Sequence, residues 1–355
     1  MAIDERMNAQ SMTQDWVGTV GMRQTAPLRR GAMTAALLAA AVTGSLLTGC
    51  TGGGHARGGG ALDDGRAPTP SPSPTASRSP EVLKSAGPVL AVKIDNVRAA
   101  RPATGLDAAD VVYAEQVEGG LSRLMAVFAT TLPKAVGPVR SARESDLELL
   151  GQFDEPTLAF SGAQHKLLPL IDKAPLHAQS ADTTPGAYFR AADRPVPHNL
   201  YLRPERLMES APGGDALTTG FHFGAAPQGG TEENSRTVRY PAARFTFTWS
   251  DSRKRWLVDM DGTPTVTAEG RTVAPATVVV QYVKVRKSQF HDFLGNNTPY
   301  TETVGSGTAK VLRDGRAYDV NWSRPGAEDG TKFTTKDGTP MNFARGQVWV
   351  VFAKA

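Results

Sequence analysis

Cysteine is almost absent from this sequence: one residue in 355, Cys50. A single thiol excludes an internal disulfide framework and any multi-cysteine zinc or iron–sulfur site. Excess charge of one sign is missing too. Lys and Arg total 39 against 35 Asp and Glu, a net formal charge of +4. That is too little for the strongly basic face of a nucleic-acid binder, and no nucleic-acid partner is expected. Only one long apolar run is present, which excludes a polytopic membrane protein. The six histidines are scattered without metal-ligand spacing, so no metal and no other cofactor is expected. Hydrolase signatures are lacking as well: there is no G-x-S-x-G elbow, no S-x-x-K pair and no H-E-x-x-H helix. A Walker-type loop is missing, since GSGTAK at 305–310 has the wrong spacing.

The one thiol sits at an informative place. Arg29 and Arg30 precede the uncharged apolar stretch Ala32–Leu47, 16 residues long. A helix needs ~20 residues to cross a bilayer, whereas a charged start and short apolar middle define a secretory signal. The stretch ends in Leu47-Thr48-Gly49-Cys50, which looks like a bacterial lipobox. Residues 1–49 are therefore read as a signal peptide and Cys50 as the lipidated first residue of the mature chain. Two or three acyl chains there, at about 0.8 kcal/mol per buried methylene, make a stable anchor. The expected location is the extracytoplasmic face of the cell membrane. A cysteine transpeptidase is excluded, because the thiol would be lipid-bound.

Residues 50–87 are rich first in Gly and then in Pro, Ser and Thr, including Pro68, Pro70, Pro72, Pro74 and Pro80. Such a composition buries too little apolar surface to offset its ordering entropy, and it reads as a stalk. The body follows. The fold class expected is α+β: a first domain, 88–230, forming a layered α/β sandwich with a mixed sheet, and a second, 231–355, of mostly antiparallel β. VLAVKI ending in Asp95-Asn96 reads as a buried strand. Val111–Glu118 and Leu121–Thr130, joined by Gly119-Gly120, read as a hairpin. A two-residue turn would set Gln116 opposite Arg123. It would place Glu118, Gln116 and Arg123 on one face, with Glu115, Ser122 and Tyr113 on the other. Ser141 followed by Glu144 reads as a capping box opening a helix to about Leu150, with Arg140 and Arg143 flanking its amino terminus. Beyond 231, short apolar runs punctuated by Asp261-Gly262, Asp314-Gly315 and Asp337-Gly338 read as strands and turns.

The stretches VLAVKIDN, RPATGLDAADVVYAEQVEGGLSRLMAVF, GPVRSAR and RPVPHN, with VGSGTAKVLRDGRAYDVNW and RGQVWVVFA later, resemble the YerB-like lipoproteins of Gram-positive bacteria. That is a two-domain family of unknown function, and it implies no reaction. The resemblance implies an α+β first domain and a β-rich second domain, both outside the membrane. Its motif positions correspond here to Asp95, Asn96, Arg101, Glu115, Glu118, Gly119, Gly120, Arg123, Arg140, Ser141, Arg143, His198 and Asn199.

The concentrated polar set is the candidate site: Asp95, Asn96, Glu115, Glu118, Arg123, Arg140, Ser141, Arg143, His198 and Asn199. Two arginines at a helix start exceed what capping needs, and no nucleophile can be named. The reading favoured is non-catalytic recognition of an anionic small molecule, a cell-wall component or an envelope protein partner. The alternative is a metal-independent envelope hydrolase, with Glu118 or Glu115 as general base, His198 as acid and Arg140/Arg143 as clamp. A buried ion-pair network is the third reading of the same residues.

Overall fold

The computed structural model describes residues 87–292 and 295–355, which lie in one compact unit, Arg78–Ala355. The expected signal peptide, Cys50 and nearly all of the stalk lie outside the described residues. The first half of the body gives β1 (Leu90–Asp95), β2 (Val111–Gln116), β3 (Ser122–Phe128), α1 (Glu144–Leu150), β4 (Thr157–Phe160), α2 (Leu168–Ile171) and β5 (His177–Ser180). A ribbon of β6 (Tyr188–Arg190) and β7 (Leu200–Leu202) follows. The second half opens with β8 (Thr231–Glu232) and a meander of β9 (Ser235–Tyr240), β10 (Ala243–Ser250), β11 (Arg255–Met260) and β12 (Thr263–Pro264). Next come β13 (Thr277–Val283) and a second ribbon, β14 (Val285–His291) with β15 (Asn297–Thr301). The chain ends with β16 (Gly305–Arg313), β17 (Arg316–Arg324), β18 (Lys332–Thr335) and β19 (Val348–Lys354).

Eleven strands share one mixed sheet, ordered β18-β17-β16-β13-β19-β2-β3-β1-β4-β5 with β8 beside β17. β19 runs parallel to β2, Val350 opposite Tyr113, so strands from both halves of the body meet in this sheet. The inner strands β1, β13 and β19 are buried almost throughout because both their faces are covered. One face takes the meander. Phe245 and Phe247 of β10 stand edge-on to Trp349 at centroid distances of 6.3 and 6.0 Å. The Tyr240 hydroxyl lies 3.0 and 2.9 Å from the carbonyls of Ala114 and Phe352 and shares its one hydrogen between them. The other face takes Leu149 and Leu150 of α1 against Met125, Val127 and Val350. β10 and β11 alternate between buried and half-buried residues, as strands with one wet face do.

The expected α+β class, with its layered α/β sandwich, is corrected by this architecture. Only α1 and α2 are α-helical among the described residues, seven and four residues long, and the chain is mostly β. The reason lies in tertiary packing. A second sheet covers one face where helices were expected, and α1 ends at Gly151, where a Cβ would sit 2.8 Å from the Ala327 carbonyl oxygen.

The hairpin forms, but its register differs by one residue from a two-residue turn. Glu118-Gly119-Gly120 is a three-residue loop, with φ of 66° and 71° at the two glycines. Gln116 therefore faces Ser122, and Glu115 faces Arg123. A one-residue slip exchanges faces, so Glu115, Arg123 and Tyr113 lie together on the α1 side. The helix start moves as well. α1 opens at Glu144 with Arg143 as N-cap, its N–H donating to the Asp146 carboxylate at 2.7 Å, rather than with Ser141 capping.

Candidate functional site

The site is built where β1 and β4 part. They pair parallel only over Leu90–Val92 and Thr157–Ala159. Beyond that, the segment 137–142 enters between them: Arg140 N–H donates to the Lys93 carbonyl, and Ser161 N–H to the Arg140 carbonyl, at 2.8 and 3.0 Å. That segment fills the gap between the parted strand ends and brings its own side chains to them.

Asp95 closes β1 and is 2 % exposed. Its Oδ2 lies 2.8 Å from His198 Nδ1 and 3.0 Å from Arg140 Nε. Directly across the ladder stands Arg123, between Asp95 on β1 and Glu115 on β2. Arg123 is partly buried and donates to the Ser141 carbonyl at 3.1 Å, but it pairs with no carboxylate among the described residues. Burial, then the neighbouring Arg143 charge, push its guanidinium down to about 9.

Glu118 and Arg143 form a different unit. Arg143 grips both carboxylate oxygens, at 2.7 and 2.8 Å, and the Thr298 hydroxyl of β15 donates to one of them at 2.6 Å. Burial alone would raise the Glu118 carboxyl; the Arg143 guanidinium and the Thr298 hydroxyl override it and hold the group at about 2. Glu118 thus ties the β2–β3 loop to the α1 cap and the β14–β15 ribbon. Beside it opens a cavity of 680 Å³ whose lining includes Glu118, Ser141, Arg143, Gln164 and His165. Asp95, Arg123, Arg140 and His198 do not line it.

The other expected residues serve the frame. Glu115 is 3 % exposed beneath α1, ion-paired to Lys93 and accepting from Ser145 at 2.9 Å. Asn96 points to the opposite face of β1, donating to Ser122 at 2.9 Å and accepting from Arg101 at 3.2 Å. Asn199 accepts from Arg190 at 2.8 Å and closes the loop that carries His198. Arg194 fixes that loop by donating to the Arg101 and Pro102 carbonyls, both at 3.2 Å.

Sequence reasoning missed Lys93. It is fully buried, paired with Glu115 and, at 2.6 Å, with Asp146 in the first turn of α1. The signal was a charged residue inside an apolar run covered on both faces, which demands buried carboxylates as partners. Among the described residues no group of three or more metal-ligating side chains is gathered, and no helix is long and apolar enough to cross a membrane.

Fold and site together define a β-rich body, with one mixed sheet drawn from both halves and an arginine-lined polar cluster at its strand ends. The chain belongs to the family described as "Protein of unknown function (DUF3048)": residues 74–216 match its N-terminal domain and 236–350 its C-terminal domain. It is 23 % identical over 277 residues to "Putative lipoprotein YerB" of Bacillus subtilis (strain 168), covering 74 % of this chain and 80 % of that protein. The crystal structure of the Bacillus subtilis YerB protein matches with a TM-score of 0.63 at 20 % identity, over 76 % of this chain and 91 % of that one. That likeness is one of fold.

Proposed function

We propose that this chain is an envelope lipoprotein, held by acylated Cys50 at the extracytoplasmic face of the membrane, whose body recognises an anionic ligand or wall-associated partner without turning it over. The lipobox and the name of the Bacillus relative, "Putative lipoprotein YerB", support the anchoring. Arg123 carries the recognition reading. Arg143 is paired with Glu118 and Arg140 with Asp95, which leaves Arg123 as the cation of the cluster that no carboxylate contacts directly, Glu118 and Asp95 acting on it only from a distance. A desolvated guanidinium in that position is completed by an anion from outside.

The hydrolase alternative lacks its base. Glu118, held near 2 with both oxygens engaged, does not accept a proton near neutral pH. Glu115 is shut beneath α1 by Lys93 and Ser145. The test is a thermal-shift series on the full-length protein in detergent, with inorganic phosphate, carboxylates and wall fragments. Stabilisation of wild type that Arg123→Gln abolishes is expected. Identical melting of both proteins with every anion would overturn the reading.

A further inference from the structure

Another cavity, of 820 Å³, opens at the far end of the strands that carry the Arg123 cluster. Arg123 and Asp95 stand where β3 begins and β1 ends. This cavity is edged instead by Val111 at the start of β2, by Thr130 and Thr131 just past β3, and by Gln347 ahead of β19. Residues from the segment 214–223 form much of the remaining wall.

That wall is apolar and held in place. Phe221, Phe223 and Leu217 all line the cavity. The Phe343 ring packs against both phenylalanines, 4.9 Å from Phe221 and 6.3 Å from Phe223, the second contact at 87°. Their backbone is pinned too: Phe343 N–H donates to the His222 carbonyl at 2.6 Å, and Gly224 N–H to the Phe343 carbonyl at 3.1 Å. Phe223 nevertheless stays 37 % exposed, more than any other Phe, Tyr or Trp among the described residues. The most open aromatic ring therefore faces a cavity on rigid backbone.

The polar groups sort into two sets. Asp110 is committed to the frame, accepting from the Ala129 and Thr130 N–H groups at 2.7 and 2.9 Å, and Asp107 is ion-paired with Arg271. Asp215 and Arg345 are exposed, line the same cavity, and have no partner among the described residues, each other included. Their charges cancel, so the cavity has no net demand for an anion or a cation. Exposed ion pairs contribute only ~0–1 kcal/mol, too little to hold a zwitterion by charge alone. The strands that reach the cavity, β2, β3 and β19, are inner strands paired on both sides, and they offer no edge to an extended peptide. What is offered is an aromatic face beside two planar, forked groups that can each engage neighbouring hydroxyls. A pyranose ring matches this set, because its C–H face is apolar and its rim carries hydroxyls.

We infer that this cavity binds an uncharged oligosaccharide, one hexopyranose ring lying on Phe223 with its hydroxyls hydrogen-bonded by Asp215 and Arg345. Its volume falls within the roughly 300–1,000 Å³ of small-molecule sites. This site is separate from the one at Arg123 and stands or falls without it.

The experiment is saturation-transfer-difference NMR on the full-length protein in lauryldimethylamine oxide, a detergent without a sugar headgroup. The probes are chitotriose, cellotriose and, as a zwitterionic control, alanyl-alanine. Saturation of the ring C–H protons of at least one trisaccharide is expected, with none for the dipeptide. Phe223→Ala should weaken the apparent affinity about tenfold, and Phe223→Trp should hold it within about threefold. Arg345→Ala removes an exposed side chain without a partner, so it tests the site whether or not the Phe223 variant folds; a loss of about threefold to tenfold is expected. Arg123→Gln should leave sugar binding unchanged, and its loss there would place the sugar at the other site and overturn this one. Absence of a trisaccharide signal, a dipeptide signal as strong as the sugars', or sugar binding that either Phe223→Ala or Arg345→Ala leaves intact would also overturn it. None of these outcomes touches the anion reading, which fails only on the melting behaviour of Arg123→Gln.

Discussion

Replacing Glu118 with Gln tests whether this carboxylate belongs to the frame or to chemistry. It keeps the side-chain shape and removes the charge that Arg143 grips on both oxygens. A carboxyl moved from 4.5 to about 2 in the folded state contributes roughly 3 kcal/mol to stability. At 8 % exposure, solvent screening removes little of this. The sign follows from a depressed carboxyl. The full contribution is present above pH 4.5, where both folded and unfolded states are ionised, and it is lost as pH falls toward 2. Integrated between those limits, roughly 3 kcal/mol at pH 7 becomes roughly 1 kcal/mol at pH 3. Urea unfolding followed by tryptophan fluorescence should therefore show wild type and Glu118→Gln converging by about 2 kcal/mol between those pH values. A constant residual gap, from an Arg143 left without its partner, is compatible with this. A gap that widens on acidification would refute the reasoning, because that is the signature of a raised carboxyl and hence of a candidate base.

Lys93→Met leaves the Glu115 and Asp146 carboxylates buried without their cation and should cost about 3–5 kcal/mol in the same assay. The triple variant with Glu115→Gln and Asp146→Asn should recover most of it; if the triple is as unstable as the single, the ion-pair account fails. At Gly120, φ is 71° and an added Cβ would sit 2.5 Å from the Pro241 Cβ, so Gly120→Ala should cost about 2–4 kcal/mol. Gly119→Ala meets nothing within 4 Å and should cost only about 1–2 kcal/mol from the left-handed backbone; equal losses would show that Pro241 is not the constraint. Tyr240→Phe removes the one hydroxyl hydrogen shared between two carbonyls of the main sheet and should lower the unfolding free energy by about 1–2 kcal/mol.

What local pattern encodes, the sequence made legible. The apolar run of β1, the period-2 alternation of β10 and the positive-φ Asp-Gly turns at 261–262 and 314–315 need no distant partner to be read. What distant partners decide was hidden. The β2–β3 register follows from Arg143 and Thr298 holding Glu118 in the loop, residues 25 and 180 positions away. Ser141 does not cap α1 because the backbone around it is already engaged: Ala142 N–H donates to Gly162, and the Arg140 carbonyl accepts from Ser161. Tertiary pairing overrode a sound local signal. The same holds for the site, where Asp95 and His198 are 103 residues apart and nothing in either motif announces the pairing.

The three arginines read alike in the sequence and differ in what surrounds them. Arg143 belongs to the frame, and Arg140 shares Asp95 with His198. Arg123 alone is held at a cost, since burial and then the Arg143 charge push it down to about 9. A cation depressed in the folded state destabilises it at every pH below that value, and the penalty fades only as pH rises toward 12.5. Arg123→Gln should therefore leave stability at pH 7 unchanged or raised, even as it removes anion binding. Arg143→Gln, by contrast, should destabilise by about 2–3 kcal/mol, because it orphans a buried carboxylate. A residue that weakens the fold while completing a ligand site is the expected trace of function. Were Arg123→Gln instead to lose as much stability as Arg143→Gln, the guanidinium would be part of the frame, and the argument for an external anion would go with it.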